Sequence, residues 1–446
     1  MNHPTGQLAS KHTTAIPIVI IGAMFFIFGL VSWVNAILIP YFKIACELTH
    51  FESYFVTFAF YIAYLILSIP SAFLLKKLGY KRGMVYGFFC MAIGSLLFIP
   101  AALTRTYGIF LTGLFIIGTG LTILQSSANP YITIVGPIES AAKRISIMGI
   151  CNKFAGIISP LIFAAAVLRV TDSELFTLLD SGTLDTITKN ELLDELIRRV
   201  IPPYAILSVL LFCFGLFVRY SVLPDLNPEE SNKEETGKMG KKSVFQFPYL
   251  ILGALALFFH VGTQVIAIDT IIGYAGSMGM NLLEAKVFPS YTLTATILGY
   301  LLGILLIPKY ISQTKALQIC CISGFILSLG IIFINHPITI FGHSANLSIW
   351  FLCALGFPNS LIYAGIWPLS IHGLGRFTKI GSSLLIMGLC GNGIMPVLYG
   401  YLADHWGVQN AYWLLIPGYI YLIFFATYGY KMHSWPVVIK RKYDYF

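Results

Sequence analysis

Apolar residues run through this chain in long unbroken blocks, with polar residues confined to the short stretches between them. An α-helix needs about 20 apolar residues to cross roughly 30 Å of hydrocarbon. Twelve blocks of that size are read, over residues 17–40, 51–75, 84–103, 107–131, 145–168, 201–222, 247–275, 287–308, 316–335, 346–370, 380–402 and 411–430. Continuous runs of this length are not the alternating strands of an outer-membrane barrel. The pattern therefore predicts an all-α membrane protein with twelve transmembrane helices in two six-helix bundles. The first block is too long for a signal-peptide core and has no small-residue cleavage site, so it is expected to stay in the protein.

Two polar stretches break the rhythm. Residues 223–246 separate the sixth and seventh blocks and read as a flexible cytoplasmic linker. The expected organisation is an amino-terminal tail (1–16), a six-helix bundle (17–222), the linker (223–246), a second bundle (247–430) and a carboxy-terminal tail (431–446). Six, linker, six is the arrangement of transporters whose two halves rock about a central site. Residues 169–200 form the second polar stretch. Thr188 and Glu191 stand at capping-box spacing before an apolar pattern at Leu192, Leu193, Leu196 and Ile197, which predicts a short surface helix covering the exterior ends of the bundle.

Composition sharpens this picture. Only 11% of the 446 residues are charged, while 57% are hydrophobic. Soluble domains carry about 25% charged residues, so a water-facing surface for this chain cannot be built, and disorder is excluded by the same numbers. Most of the 28 Lys and Arg fall in the segments that lie inside if the amino terminus is inside, among them Lys76, Lys77, Lys81, Arg82, Lys143, Arg144, Lys309, Lys315, Arg376 and Lys379. That bias is the positive-inside rule. It places both termini in the cytoplasm of a bacterial inner-membrane protein and absorbs the net charge of +9, leaving no reason to propose nucleic acid. The eight Cys show no metal-ligand spacing.

Charge inside the membrane is where function is expected, because an ionisable group in hydrocarbon costs several kcal/mol unless it faces water or a partner. Two such groups stand out, Asp269 in the seventh block and Lys153 in the fifth. Asp269 is the candidate for binding a coupling H+ or Na+, and no other cofactor is expected. Counting along the helices puts it in the outer half, with Lys153 nearer the cytoplasmic half, so a direct ion pair between them is not the first expectation. Neutral amides are plentiful at membrane depth. Asn35, Gln125, Asn152, Gln264 and Asn359 both donate and accept hydrogen bonds, as sugar hydroxyls do. Trp33, Tyr363 and Trp367 offer flat apolar faces for a pyranose ring. The same amides also serve as interhelical glue. His260 reads either as a proton relay or as a neutral residue bonded to a backbone carbonyl. Pro130, Pro358, Pro368 and Pro396 are expected to kink their helices.

Particular strings resemble a known family, the fucose/glucose–galactose permeases of the major facilitator superfamily. They are Phe25-Phe26-Ile27-Phe28-Gly29 with Asn35-Ala36-Ile37-Leu38-Ile39-Pro40, then Leu124-Gln125-Ser126-Ser127-Ala128-Asn129-Pro130-Tyr131, Ile150-Cys151-Asn152-Lys153, Ile268-Asp269-Thr270, Ile366-Trp367-Pro368-Leu369 and Thr378-Lys379-Ile380-Gly381-Ser382-Ser383. The resemblance spans residues 17–430 and is nearer the branch handling glucose, galactose or N-acetylglucosamine. It implies the major facilitator fold and sugar:cation symport. Departures concern coupling: fucose-type members have an Asp at Ala36 and a Glu at Gln125, their span-five Gln falls on Gly149, and sugar-transporting relatives often have a Glu at Gln264. Three familiar carboxylates are absent, which leaves Asp269 as the intramembrane acid.

The reading is thus a monosaccharide importer working by alternating access as a monomer among membrane lipids. Asn35, Gln125, Asn152, Gln264, Asn359 and Trp367 form the expected sugar site, with Tyr363 and Lys153 behind them. A passive uniporter on the same fold is the alternative that the missing carboxylates favour. A drug or cation exporter would prefer an acid-lined apolar cavity, and a transporter-like sugar sensor would carry a folded signalling domain. An enzyme is not expected, since no nucleophile–base pair stands at membrane depth.

Overall fold

The computed structural model of the chain describes residues 11–134, 141–169, 171–180, 184–223, 243–307, 309–374 and 377–435. Among them are twelve helical spans long and apolar enough to cross a membrane. Numbered in chain order, span 1 is Ile16–Ala45, span 2 Phe55–Leu75, span 3 Tyr80–Leu103, span 4 Tyr107–Asn129, span 5 Ile147–Val167 and span 6 Ile201–Tyr220. Spans 7 to 12 are Pro248–Asp269, Leu282–Leu306, Gln313–Phe333, Leu347–Ile371, Ile380–Trp406 and Asn410–Lys431. Of the linker assigned to 223–246, residues 224–242 lie outside the described residues, as do the extreme tails.

The two halves repeat one packing scheme. Span 1 packs on span 5, span 2 on span 4, and span 3 on both span 4 and span 6. In the second half span 7 packs on span 11, span 8 on span 10, and span 9 on both span 10 and span 12. Shifting each number by six converts one list into the other, the mark of an internal structural repeat. Small residues set the closest crossings: a Cβ on Gly87 would lie 2.9 Å from the Gly120 carbonyl, and one on Gly120 2.4 Å from that of Gly87, so spans 3 and 4 meet backbone to backbone. The halves meet along span 2 against span 11, span 5 against span 8, and span 1 against span 7. With an even number of spans, the chain enters span 1 and leaves span 12 at one face, called here the entry face; the other is the far face.

Helix breaks follow proline chemistry at two places. Pro100 and Pro358 cannot donate to the carbonyl four residues back and crowd it. The helices Tyr80–Leu96 and Leu347–Ala354 end at those two acceptors, Leu96 and Ala354. Pro130, Pro368 and Pro396, also expected to kink, are carried inside the continuous helices Tyr107–Ile134, Gly356–Ile371 and Gly391–Trp406.

The far-face helix is present as Thr186–Arg198, burying Leu193, Leu196 and Ile197. Its expected cap is corrected. Asp185, not Thr188, is the N-cap, its carboxylate accepting from Ile187 N and Thr188 N, which makes Thr188 a residue of the first turn. Both N–H groups are satisfied by one anion at a helix amino terminus, where negative charge is favoured. The helix is tied down by the Tyr41 hydroxyl on the Leu196 carbonyl and by Arg199, which grips buried Asp172 at 2.9 and 2.8 Å. A capping box does exist elsewhere, with Thr49 and Glu52 opening the short helix His50–Ser53. A small hairpin, Pro337–Ile340 with His343–Asn346, was not anticipated. Its turn residues Phe341 and Gly342 have φ of 53° and 83°, the left-handed pair of a type I′ turn.

Candidate functional site

The seam between the bundles is built on a close helix crossing. A Cβ on Gly29 would stand 2.1 Å from the Asn152 carbonyl oxygen, so glycine lets span 1 lie directly on span 5. One turn further along span 1, Trp33 Nε1–H donates to Asn152 Oδ1 at 3.1 Å, and Asn152 Nδ2 donates to the Phe25 carbonyl at 3.3 Å. Both ends of the amide are thereby fixed, with one N–H and one lone pair left over.

Lys153 follows and crosses the seam. Its Nζ lies 3.9 Å from the centroid of the Trp33 ring and donates to Gln264 Oε1 of span 7 at 3.4 Å. The residue is buried. A desolvated cation over an indole face gains about 2 kcal/mol, which offsets part of its burial cost. Indole, amide and ammonium from spans 1, 5 and 7 thus share one locus. No ion pair joins Lys153 to Asp269 among the described residues.

Toward the far face the seam turns apolar and then closes. Trp33, Ala36, Ile268 and Leu293 form a separate small cluster from spans 1, 7 and 8. Asn35, beside it in sequence, is fully buried, and neither amide atom has a hydrogen-bond partner. Asp269 stands at the end of span 7, 1% exposed, where Oδ2 accepts from Thr57 Oγ1 of span 2 at 3.4 Å while Oδ1 has no partner. Around this contact the Tyr54 ring meets Tyr399 edge-on at 5.6 Å, and Tyr412 bonds Thr270 Oγ1 at 2.8 Å. Outermost, Asp404 of span 11 accepts from His50 N and Phe51 N of the first bundle. Asp269 therefore belongs to a far-face gate rather than to the amide cluster.

Nearer the entry face, span 10 supplies an aromatic platform. Tyr363 and Trp367 stack with centroids 5.7 Å apart and planes at 21°. Asn359, one turn before Tyr363, accepts from the Tyr419 hydroxyl at 2.9 Å and has an unpartnered Nδ2. The His260 ring lies 6.5 Å from that of Tyr363. Ser68 Oγ donates to the Ser383 carbonyl at 3.2 Å on this side of the seam.

The structure thus brings Asn152, Lys153 and Gln264 together and groups Asn359, Tyr363 and Trp367. Asn35 stands apart in the apolar layer, and Asp269 in the gate. Gln125, half-buried on span 4, makes no described bond to any other candidate. Three residues carry more than their sequence context signals: Trp33 reads only as a stacking ring, Thr57 is one of many intramembrane threonines, and His260 stands one turn before Gln264. Among the described residues, no three His, Cys, Asp or Glu side chains gather as a metal site.

Comparison with known proteins agrees with this architecture. The family model described as Major Facilitator Superfamily matches residues 21–377. A Brucella abortus protein named glucose/galactose transporter is 31% identical over 92% of both chains. An Escherichia coli protein named L-fucose-proton symporter is 29% identical, again over 92% of each. The crystal structure of the transporter FucP in its outward conformation superposes with a TM-score of 0.70 at 26% identity, covering 95% of this chain and 100% of that one. Twelve spans in two repeated bundles, a polar seam between them and a match over most of the length lead to one assignment: the chain belongs to the Major Facilitator Superfamily.

Proposed function

We propose that this protein imports a monosaccharide of the glucose, galactose or N-acetylglucosamine type across a bacterial inner membrane by alternating access. The observation that carries the reading is the meeting of Asn152, Lys153 and Gln264 on Trp33 across the seam. These groups come from both bundles, so a ligand held there would be released as the bundles rock. Amides and one ammonium suit a polyol, whose oxygens accept from the ammonium and exchange hydrogen bonds with the amides. The relatives named for glucose/galactose and fucose support the same substrate class. The basic entry face corresponds to the cytoplasm, which puts the Asp269 gate on the exterior side. The working unit is a monomer.

Coupling belongs to H+ or Na+ acting at Asp269. One elementary charge moving through 100 mV supplies about 2.3 kcal/mol, roughly a fifty-fold gradient. Purified protein in proteoliposomes, given labelled glucose, galactose and N-acetylglucosamine under separately imposed H+ and Na+ gradients, tests the whole reading. Accumulation above equal concentrations under one gradient, lost in Asp269→Asn with exchange retained, is the expected result. Uptake that only equilibrates under every gradient would establish a passive uniporter, in keeping with Ala36, Gln125 and Gln264 standing where relatives have carboxylates. Absence of uptake of any of these sugars would end the monosaccharide reading.

A further inference from the structure

The second half of the seam contains a polar group that the reading above leaves unused. His260 is fully buried on span 7, and neither Nδ1 nor Nε2 has a hydrogen-bond partner among the described residues. A histidine kept for packing would bond a backbone carbonyl or a hydroxyl. Here the neighbouring hydroxyl of Thr263 is spent on the His260 carbonyl oxygen at 2.9 Å and does not serve the ring. The Asn359 Nδ2 group on span 10 is likewise buried and unpartnered, while its Oδ1 is fixed by Tyr419. The stacked Tyr363–Trp367 platform belongs to span 10 as well, and the imidazole ring lies 6.5 Å from that of Tyr363. His260 also precedes Gln264 by four residues, about 6 Å along the same face of span 7.

We propose that His260 is a specificity-determining sugar contact: its two ring nitrogens, assisted by Asn359 Nδ2, hold neighbouring hydroxyls of a hexose that lies on the Tyr363–Trp367 rings. A neutral imidazole presents one N–H and one lone pair. Adjacent sugar hydroxyls present the complement, one oxygen to accept and one O–H to donate. Asn359 adds a further donor from the neighbouring helix. The sugar would span from this cluster to Gln264 and Lys153, one helical turn away, and so touch both bundles. The proposal rests on the monosaccharide reading and deepens it, because it assigns individual hydroxyl recognition to one side chain.

The test is equilibrium binding of glucose, galactose and their monodeoxy derivatives to purified full-length protein, as wild type, His260→Leu and His260→Asn. His260→Leu removes both hydrogen-bonding atoms, whereas His260→Asn keeps a donor and an acceptor. The expected result is a loss of about tenfold or more in affinity with Leu and recovery to within about threefold with Asn. In addition, the two monodeoxyhexoses that each lack one of the adjacent hydroxyls should lose less affinity than the parent hexose on going to His260→Leu, because one of the two contacts is already missing. Unchanged affinity of His260→Leu for the parent hexose would overturn the proposal. So would an equal loss in both variants spread evenly over every deoxy derivative, the signature of a merely structural role. Should His260→Leu fail to fold, the His260→Asn cycle decides alone: coupling confined to one adjacent pair of hydroxyls supports the contact, and uniform loss overturns it. Wild-type protein that binds no hexose would defeat the monosaccharide reading and this assignment together, whereas hexose binding untouched by position 260 would defeat only the latter.

Discussion

Asp404 of span 11 closes the helix His50–Ser53 of the opposite bundle, its two carboxylate oxygens accepting from His50 N at 3.1 Å and Phe51 N at 2.8 Å. These are the amino-terminal N–H groups of that helix, and an anion there is favoured by the helix dipole. The bond exists only while the bundles touch at the far face. Removing a capping side chain costs about 0.5–2 kcal/mol, and here that cost falls on the closed gate alone. Asp404→Ala is expected to shift the closed-to-open ratio by about tenfold at the middle of that range. A cysteine introduced at buried Ser53, in a background without the native cysteines, reports it: labelling by an impermeant maleimide from the far face should accelerate by the same factor. An unchanged rate would show that the tyrosine contacts alone hold the gate.

The same gate carries a titratable group. His50 is partly buried and receives Lys43 Nζ at 2.7 Å on Nε2. An ammonium only donates, so this contact requires a neutral ring. Burial, and then the Lys43 charge, push the His50 pKa below its ordinary 6.5, while Asp404 pulls the other way. Opening the gate takes the second bundle off His50 and brings it back toward water and its ordinary value, while Lys43, on the same bundle, stays beside it. The open form then takes up the proton more readily, so the closed form keeps its full advantage above about pH 6.5 and loses it as pH falls below that value. Far-face labelling at Ser53→Cys should accelerate on acidification below pH 6.5, and His50→Gln should flatten the dependence. A profile that survives His50→Gln would assign the titration to another group.

Trp33 makes two contacts with one ring, and they separate by substitution. Phenylalanine keeps an aromatic face for Lys153 but removes the N–H that fixes Asn152 Oδ1. A freed buried acceptor costs about 1–3 kcal/mol, and the amide is then free to rotate away from its ligand-facing geometry. Trp33→Phe is expected to weaken hexose binding by about five- to thirty-fold in a protein that still folds but unfolds at a lower temperature. Trp33→Leu removes the Lys153 contact as well and should weaken it further. Equal binding by wild type and Trp33→Phe would remove Asn152 from the site.

These residues show where sequence reasoning reached and where it stopped. All twelve spans were legible because each satisfies a length and polarity requirement that the bilayer imposes locally. The breaks at Pro100 and Pro358 are local chemistry too, yet Pro368 stays inside a continuous helix, where the Ala364 carbonyl it leaves free accepts from Gln313 Nε2 of span 9. The surface helix was found from its apolar spacing, but its cap was misplaced by three residues because Thr188–Glu191 and Asp185 compete for the same end. Intramembrane candidates were visible as polar residues in apolar blocks. Which of them meet was not, since Lys153 and Gln264 are 111 residues apart and their contact depends on how two bundles dock. Counting along the helices already put Asp269 in the outer half; only the docking shows that it meets Thr57 in the gate while Asn152 joins the amide cluster.

Thr57 gives the last test, because it is the single described hydrogen-bond donor to Asp269 and it comes from the other bundle. Its Oγ1 is fully buried with the carboxyl, so the pair forms when the far-face gate closes and breaks when it opens. An ion held at Asp269, as proposed, would therefore exchange with the far-face solution only in the open form, which is the condition that coupling demands. The bond is long at 3.4 Å, so its loss should cost near the lower end for a hydrogen bond, about 1 kcal/mol. Thr57→Val, nearly isosteric, is expected to shift the gate about fivefold toward its open form and to reduce accumulation in proteoliposomes, while sugar exchange at equal concentrations proceeds at the wild-type rate. Thr57→Ser should restore accumulation. Full accumulation by Thr57→Val would separate the gate contact from coupling, and loss of exchange together with accumulation would assign Thr57 to the rocking of the bundles instead.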